Sequence, residues 1–224
     1  MVISYLETDA MNKTERFRRT TWTDADRQDF NARLKRCRSA SSKAQYLRLQ
    51  ALHLTEAGHH DGTIELLDRL FSEFPDSIDI AQAHTQKGES LAKLGRTDEA
   101  IDEYRAALHR EREFPNVRTN TWLDFGWFVL EQQLTQLYEE VGRALEEFRV
   151  EDGLKFPANE YRYAAMQSLL ADARGEKGRA REFAKQALAE AAKDLSGLRY
   201  HPTVGLVGSE RGSFANRLKT LAGS

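Results

Sequence analysis

The 224-residue chain is long enough to bury a sizeable core, and its 40% apolar and 30% charged residues are ordinary for a folded protein. Its net charge of -2 excludes a global attraction to nucleic acid or to an anionic membrane. Its single cysteine, Cys37, excludes an intramolecular disulfide, and no apolar run approaches the roughly 18 residues of a membrane span. The N-terminus lacks the basic region of a secretory signal, so we expect a cytoplasmic protein.

The first residues, 1–22, are interpreted as a flexible basic tail, in which either Met1 or Met11 can be the start. The wider segment 13–43 carries ten basic and four acidic side chains, a local charge of +6. Its arginines surround Phe17 and Trp22, a combination typical of nucleic-acid-binding arms. We therefore keep a nucleic-acid-associated regulator as the alternative function.

A capping helix is predicted within residues 23–42. Thr23 has the chemistry of a helix N-cap, acids follow it, and basic residues fill the end of the predicted helix at 24–39, which suits the helix dipole. Phe30 and Leu34 recur at helical spacing and can cover the first edge of a helical stack.

Prolines at near-regular spacing indicate repeat boundaries, since proline cannot continue a helix interior. They lie at Pro75, Pro115, Pro157 and Pro202, separated by 40, 42 and 45 residues. Each interval has the length of one helical hairpin. The first hairpin is predicted over 43–74, with Gly58 at its turn.

The most regular hairpin, 81–108, resembles the tetratricopeptide repeat (TPR) family. The matching positions are Gly88 and Leu91 in the first helix, Gly95 in the turn, and Ala100, Tyr104, Ala107 and Leu108 in the second helix. Small residues at Gly88 and Ala100 let the two helices approach closely.

Weaker versions of the pattern predict about four units, which are degenerate outside 44–115. Trp122, Phe125, Gly126 and Val129 open the third unit, whose turn at 132–134 has no glycine. The fourth unit carries Ala171 and the turn Gly175. The resemblance implies an all-α fold, a right-handed superhelical stack of antiparallel helix hairpins (an α-solenoid), with capping helices at both ends.

The resulting domain plan has four parts: a basic tail (1–22), a capping helix (23–42), a TPR-like repeat domain (43–194), and a C-terminal extension with a cap (195–224). In the last part, the glycine-rich stretch from Tyr200 to Gly208 is interpreted as a seal over the last helices, with a ligand site as the alternative. A final helix is predicted over 210–221.

The resemblance also implies function, because TPR proteins hold peptides or protein partners on the concave face of the superhelix. We expect a non-enzymatic scaffold without a cofactor. Projecting the family's first-helix positions onto this chain gives a candidate binding groove, which consists of Arg48, Gln82, Gln86, Glu89, Asp124, Trp127 and Arg162. Trp127 is the expected anchor, with packing against the next unit as the alternative.

Some TPR proteins grip a partner's C-terminal carboxylate, and this sequence departs from that pattern. Leu52 and Gln86 stand where asparagines are expected, and Asp124 would repel a carboxylate.

Other chemistries have weaker support. His59 and His60 are adjacent in a predicted turn, so we expect no metal site. Cys37 has no histidine partner in the sequence pattern, and an enzyme using His201 would need a polar pocket around that residue. We therefore expect neither a metal nor a catalytic residue.

Overall fold

A computed structural model of the chain describes residues 17–149, 155–208 and 214–223. Over these residues the chain forms ten α-helices and no β-strand, which confirms the all-α class. The helices are α1 Asp24–Arg36, α2 Ala40–Glu56, α3 His60–Glu73, α4 Ile80–Lys93, α5 Thr97–Glu113, α6 Thr121–Glu131, α7 Tyr138–Phe148, α8 Pro157–Ala173, α9 Lys177–Ala191 and α10 Ala215–Gly223. Within these ranges, no helix combines the length and hydrophobicity that a membrane span requires.

The chain divides into two compact units, Met1–Thr119 and Asn120–Ser224. Unit 1 contains α1 to α5, and unit 2 contains α6 to α10. The boundary falls inside the predicted repeat domain 43–194, between its second and third hairpins.

Each unit contains two helical hairpins, and all four close with the same turn. In each, the second residue after the first helix has a positive φ: Gly58 (+81°), Gly95 (+74°), Gln133 (+54°) and Gly175 (+79°). The following residue donates its N–H to a carbonyl five residues earlier, as His59 does to Leu54 at 2.8 Å and Leu134 does to Val129 at 3.0 Å. This is the Schellman motif, which satisfies carbonyls at the end of the first helix.

Close packing inside the hairpins depends on small residues. A methyl group on Gly88 would lie 3.3 Å from the Tyr104 ring and 3.4 Å from the Ala100 carbonyl oxygen. At the corresponding position of unit 2, a methyl group on Gly126 would lie 2.7 Å from Met166 Sδ and 3.0 Å from Val141 Cγ1. The glycine is therefore more tightly enclosed in unit 2.

The N-terminal capping helix forms, with two differences from the sequence-based prediction. Thr23 and Asp26 make a reciprocal capping box, and α1 ends at Arg36 rather than at residue 39. Phe17 and Trp22, which we assigned to a flexible tail, are buried in the core of unit 1 with Phe30. Residues 1–16 of that predicted tail lie outside the described residues.

The C-terminal segment packs onto unit 2. The amide N–H of Ala158, in the first turn of α8, donates to the carbonyl of Gly205 at 2.8 Å, and Gly205 lies against the ring of Phe156. The final helix starts at Ala215 rather than at residue 210, and residues 209–213 lie outside the described part. Phe214, Leu218 and Leu221 are buried.

Candidate functional site

The predicted groove residues of unit 1 belong to two first helices, α2 and α4, which pack against each other. Arg48 projects from α2 and donates from Nε to Asp79 Oδ1 at 2.6 Å, and both side chains are mostly shielded from solvent. Asp79 is the N-cap residue of α4. Arg48 thus joins α2 to the start of α4, and its charge is largely compensated within the chain.

Gln82, Gln86 and Glu89 follow one another along one side of α4, at spacings of four and three residues. Gln82 and Glu89 are half-buried, whereas Gln86 is only 2% exposed. Neither the oxygen nor the nitrogen of the Gln86 carboxamide has a hydrogen-bond partner within the described chain. A buried, unsatisfied amide carries a desolvation cost of about 1–3 kcal/mol. We call the surface formed by Arg48 and these three residues the α2–α4 face.

The predicted groove residues of unit 2 make contacts with one another. Arg162 on α8 forms a 2.8 Å ion pair with Asp124 on α6, and its guanidinium carbon lies 5.6 Å from the centre of the Trp127 ring system. Burial raises the pKa of the Asp124 carboxyl above its ordinary value, and Arg162 opposes that rise. We call the surface formed by these three residues the α6–α8 face.

Trp127 is half-buried rather than presented freely to a partner. Its indole N–H donates to Glu131 Oε1 at 3.0 Å. Its ring lies edge-on to Phe214 at 5.1 Å and is tilted against Tyr161 at 6.3 Å. Phe214 immediately precedes α10, so the C-terminal part of the chain covers one side of the residue that we expected to be a binding anchor.

Two arginines of the basic segment 13–43 form ion pairs with carboxylates of the chain, so part of the positive charge of this segment is compensated. Arg19 pairs with Asp26 and Asp29, and Arg27 pairs with Asp24 and Glu65. Phe17 and Trp22, which would stack on bases in a nucleic-acid arm, are buried. Lys13 and Arg16 lie outside the described residues.

The other candidates from the sequence are not brought together. His59 and His60 flank the start of α3, and the described residues contain no group of three His, Cys, Asp or Glu side chains suited to a metal ion. His201 is exposed, and its carbonyl accepts hydrogen bonds from the Ser196 hydroxyl at 3.0 Å and the Val204 amide at 3.1 Å. Its backbone therefore takes part in a turn.

Sequence reasoning missed a charged network on α3, α4 and α5. Lys87 Nζ lies 2.7 Å from both Asp68 and Glu103, and Glu103 also contacts His84 Nδ1 at 2.6 Å. Burial opposes the charge of Lys87, but hydrogen bonds to Asp68 and Glu103 hold its pKa above the ordinary value. Burial also raises the pKa of Glu103, but His84 and Lys87 outweigh that effect and lower it. The residues are dispersed in sequence, so no local motif identifies the network.

Two surface features at the loops were also missed. Ile78, between α3 and α4, is 71% exposed and lines a cavity of about 390 Å³ with Phe74, Pro75 and Ala44. The second feature is a cavity of about 300 Å³ between the end of α1 and the start of α2. A signal for the latter was present in the sequence, since Arg36 and Arg38 flank Cys37 where the two helices meet.

No protein-family model and no curated protein matches this sequence.

Proposed function

We propose that the protein is a non-enzymatic, TPR-like scaffold that binds a peptide or protein partner through the first helices of its hairpins. Four hairpins with the same Schellman turn, and glycines at the close approach of two of them, support a repeat origin. In this proposal the hairpins stack into a right-handed superhelix. The single cysteine supports a cytoplasmic location.

The observation that carries the proposal is the unpartnered carboxamide of Gln86. A buried amide without a hydrogen bond lowers stability, whereas an apolar side chain of similar size would not. A peptide main-chain unit offers one N–H donor and one C=O acceptor, the complement of a carboxamide. We therefore assign the α2–α4 face to the recognition of an extended peptide backbone, with Gln86 as its central contact.

The neighbouring side chains fit that role. Gln82 and Glu89 lie one helical turn to either side of Gln86, and both are polar and half-buried. Because Gln86 is only 2% exposed, a peptide reaches its amide only when the surrounding side chains move aside. Arg48, fixed by Asp79, provides a positioned guanidinium on the adjacent helix. The nucleic-acid alternative gains no comparable support, because its aromatic residues are buried.

A peptide library displayed on phage, selected against the whole protein, tests this proposal. Selected peptides are then measured by calorimetry against the wild type, Gln86→Leu, and the matched control Gln186→Leu, which changes an exposed glutamine on α9. We expect Gln86→Leu to weaken binding by about tenfold or more, because two hydrogen bonds are lost. Gln186→Leu should bind like the wild type.

Two results contradict the proposal. One is equal binding of the selected peptides to the wild type and Gln86→Leu. The other is a loss of binding accompanied by a loss of helicity in Gln86→Leu, which would make Gln86 a structural residue.

A further inference from the structure

A second site lies between α1 and α2, in a part of unit 1 that the proposed peptide face does not use. Its cavity of about 300 Å³ is lined by Phe17, Arg33, Arg36, Cys37, Arg38, Ser42 and Tyr46, and we call it the arginine pocket. We propose that the arginine pocket binds a phosphate monoester.

The pocket is lined by two aromatic rings and three guanidinium groups. The rings of Phe17 and Tyr46 stack in parallel at 4.0 Å, and Phe17 is itself buried. The positive charge of the pocket comes from three guanidinium groups, two in the last turn of α1 and one in the connection to α2. No acidic side chain lines the cavity.

Two of the three arginines keep an uncompensated charge. Arg33 donates from Nε to Asp29 at 2.8 Å, and Asp29 also accepts from Arg19. Arg36 and Arg38, by contrast, have no carboxylate partner in the described parts of the chain. The cavity therefore has an excess of positive charge that the protein does not neutralise there.

The helix dipole explains only part of this arrangement. Basic residues at the end of α1, Arg33 and Arg36 among them, favourably oppose the negative end of that helix. Arg38 lies beyond α1 and before the N-cap residue Ser39 of α2, so the α1 dipole gives no reason for its charge. Arg38 is exposed, so its charge is tolerated by hydration, and its position in the cavity wall makes its guanidinium available to an anionic ligand.

The ligand class follows from the donors and from the size of the cavity. A phosphate monoester carries nearly two negative charges at neutral pH and three acceptor oxygens, and guanidinium groups bind such oxygens in pairs. The Ser42 hydroxyl adds a further donor. A volume of about 300 Å³ is at the lower limit of ordinary ligand pockets, which suits one ester group and a small attached body.

The same chemistry can come from a free small phosphate ester or from a phosphorylated side chain of a partner. The site does not depend on Gln86, so failure of the peptide-binding proposal leaves this one intact. The two experiments also use different residues and different probes.

Occupancy of the pocket can be measured from the alkylation rate of Cys37, which is the only cysteine in the sequence and lies half-buried in the pocket wall. The whole protein is treated with iodoacetamide, a neutral reagent, and alkylation of Cys37 is followed by mass spectrometry. The probes are phenyl phosphate, a phosphoserine peptide, the same peptide without phosphate, benzoate, and a short single-stranded RNA, all at constant ionic strength. A bound phosphate ester should slow alkylation in a saturable manner.

Variants test whether the arginines hold the probe. We expect Arg38→Gln and Arg36→Gln each to weaken the apparent affinity for phenyl phosphate by about tenfold, through loss of a charge-assisted hydrogen bond. The matched control is Lys35→Gln, which removes an exposed charge from the same turn of α1 without touching the cavity. Lys35→Gln should be protected like the wild type.

Protection by phenyl phosphate that is lost in both arginine variants supports the site. Tighter binding of the phosphopeptide than of phenyl phosphate would assign the ester to a partner protein, and equal or weaker binding would assign it to a small metabolite. Absence of protection, equal protection by benzoate, or retained protection in Arg38→Gln overturns the proposal. Stronger protection by single-stranded RNA than by either ester also overturns it.

Discussion

The two units use the same hairpins but treat their first-helix faces differently. In unit 2, Asp124 pairs with Arg162, and Phe214 packs on Trp127. In unit 1, Gln86 is buried, and its amide has no hydrogen-bond partner among the residues that the structure describes. In unit 2 the ion pair offsets the cost of burying Asp124, whereas a buried amide without a hydrogen bond lowers stability. Under the proposed function, recognition is therefore assigned to the α2–α4 face of unit 1.

The first test compares the loss of stability when leucine replaces Gly126 or Gly88, the glycines at which the helices of unit 2 and unit 1 approach closely. Gly126→Leu should destabilise the protein by about 3 kcal/mol, because even a methyl group there would lie 2.7 Å from Met166 Sδ. Gly88→Leu should cost less, since its nearest neighbour would lie at 3.3 Å. Urea denaturation monitored by circular dichroism measures both.

Gly178→Leu is the control for this pair. Gly178 lies in α9, and a methyl group on it would meet nothing within 4 Å, so leucine should be neutral or slightly stabilising. Equal losses at Gly88 and Gly126 would contradict the tighter packing of unit 2.

A second test compares two carboxylates whose pKa values are shifted in opposite directions. Glu103 has a lowered pKa, so its charge stabilises the folded state above the ordinary value of 4.5, and this stabilisation is lost as the pH falls through the folded-state pKa. Asp124 has a raised pKa, so its ionisation disfavours the folded state as the pH rises above 3.8.

At pH 7, Glu103→Gln should therefore cost about 2 kcal/mol, because Lys87 and His84 lose a shared partner. Asp124→Asn should change stability by less than about 0.5 kcal/mol, since the ion pair only offsets the cost of burial. Denaturation at pH 7 and at a series of pH values below 4.5 measures both, and the Glu103→Gln deficit should shrink as the pH falls through the lowered pKa of Glu103. A deficit that stays constant at every pH at which the protein remains folded would contradict the charged network as its cause.

The third test concerns the α2–α4 face directly. Gln86→Leu should raise the free energy of unfolding by about 1 kcal/mol, because it removes an unsatisfied buried amide. Gln167→Leu in α8 is the contrast, since its buried amide nitrogen donates to the Tyr163 hydroxyl at 3.3 Å. That substitution should not stabilise the protein. If Gln86→Leu destabilises it, the amide has a partner in solution, and the basis for a binding role is lost.

The sequence predicted the elements of the fold better than it predicted the site. Helical spacing and turn glycines depend on neighbouring residues, so the hairpins and the N-cap of α1 at Thr23 could be recognised from local patterns. Contacts between segments that are distant in sequence could not be recognised from such local patterns. Nothing near Trp127 in sequence indicates that Phe214 will cover it, and nothing near Phe17 indicates its stack on Tyr46.

The turn of the third hairpin shows the limit even of local patterns. The sequence lacks a glycine at 132–134, so we considered this turn degenerate, yet Gln133 adopts the left-handed conformation and completes the same hydrogen bonds as the glycines do. The hydrogen bonds of the turn therefore form at this position without a glycine, which a search for glycine alone does not detect.

Gln133→Gly provides the smallest and most local test. A non-glycine residue at φ of +54° lowers the stability of the folded state by about 1 kcal/mol, and glycine removes this strain. Part of the gain is offset because glycine also increases the conformational entropy of the unfolded chain. We expect a net stabilisation of about 0.5 kcal/mol, measured by thermal unfolding, while Gly95→Ala should destabilise its hairpin by a similar or larger amount. If Gln133→Gly has no effect and Gly95→Ala does, the third turn is not left-handed in solution, and the common hairpin plan of the two units would be limited to three repeats.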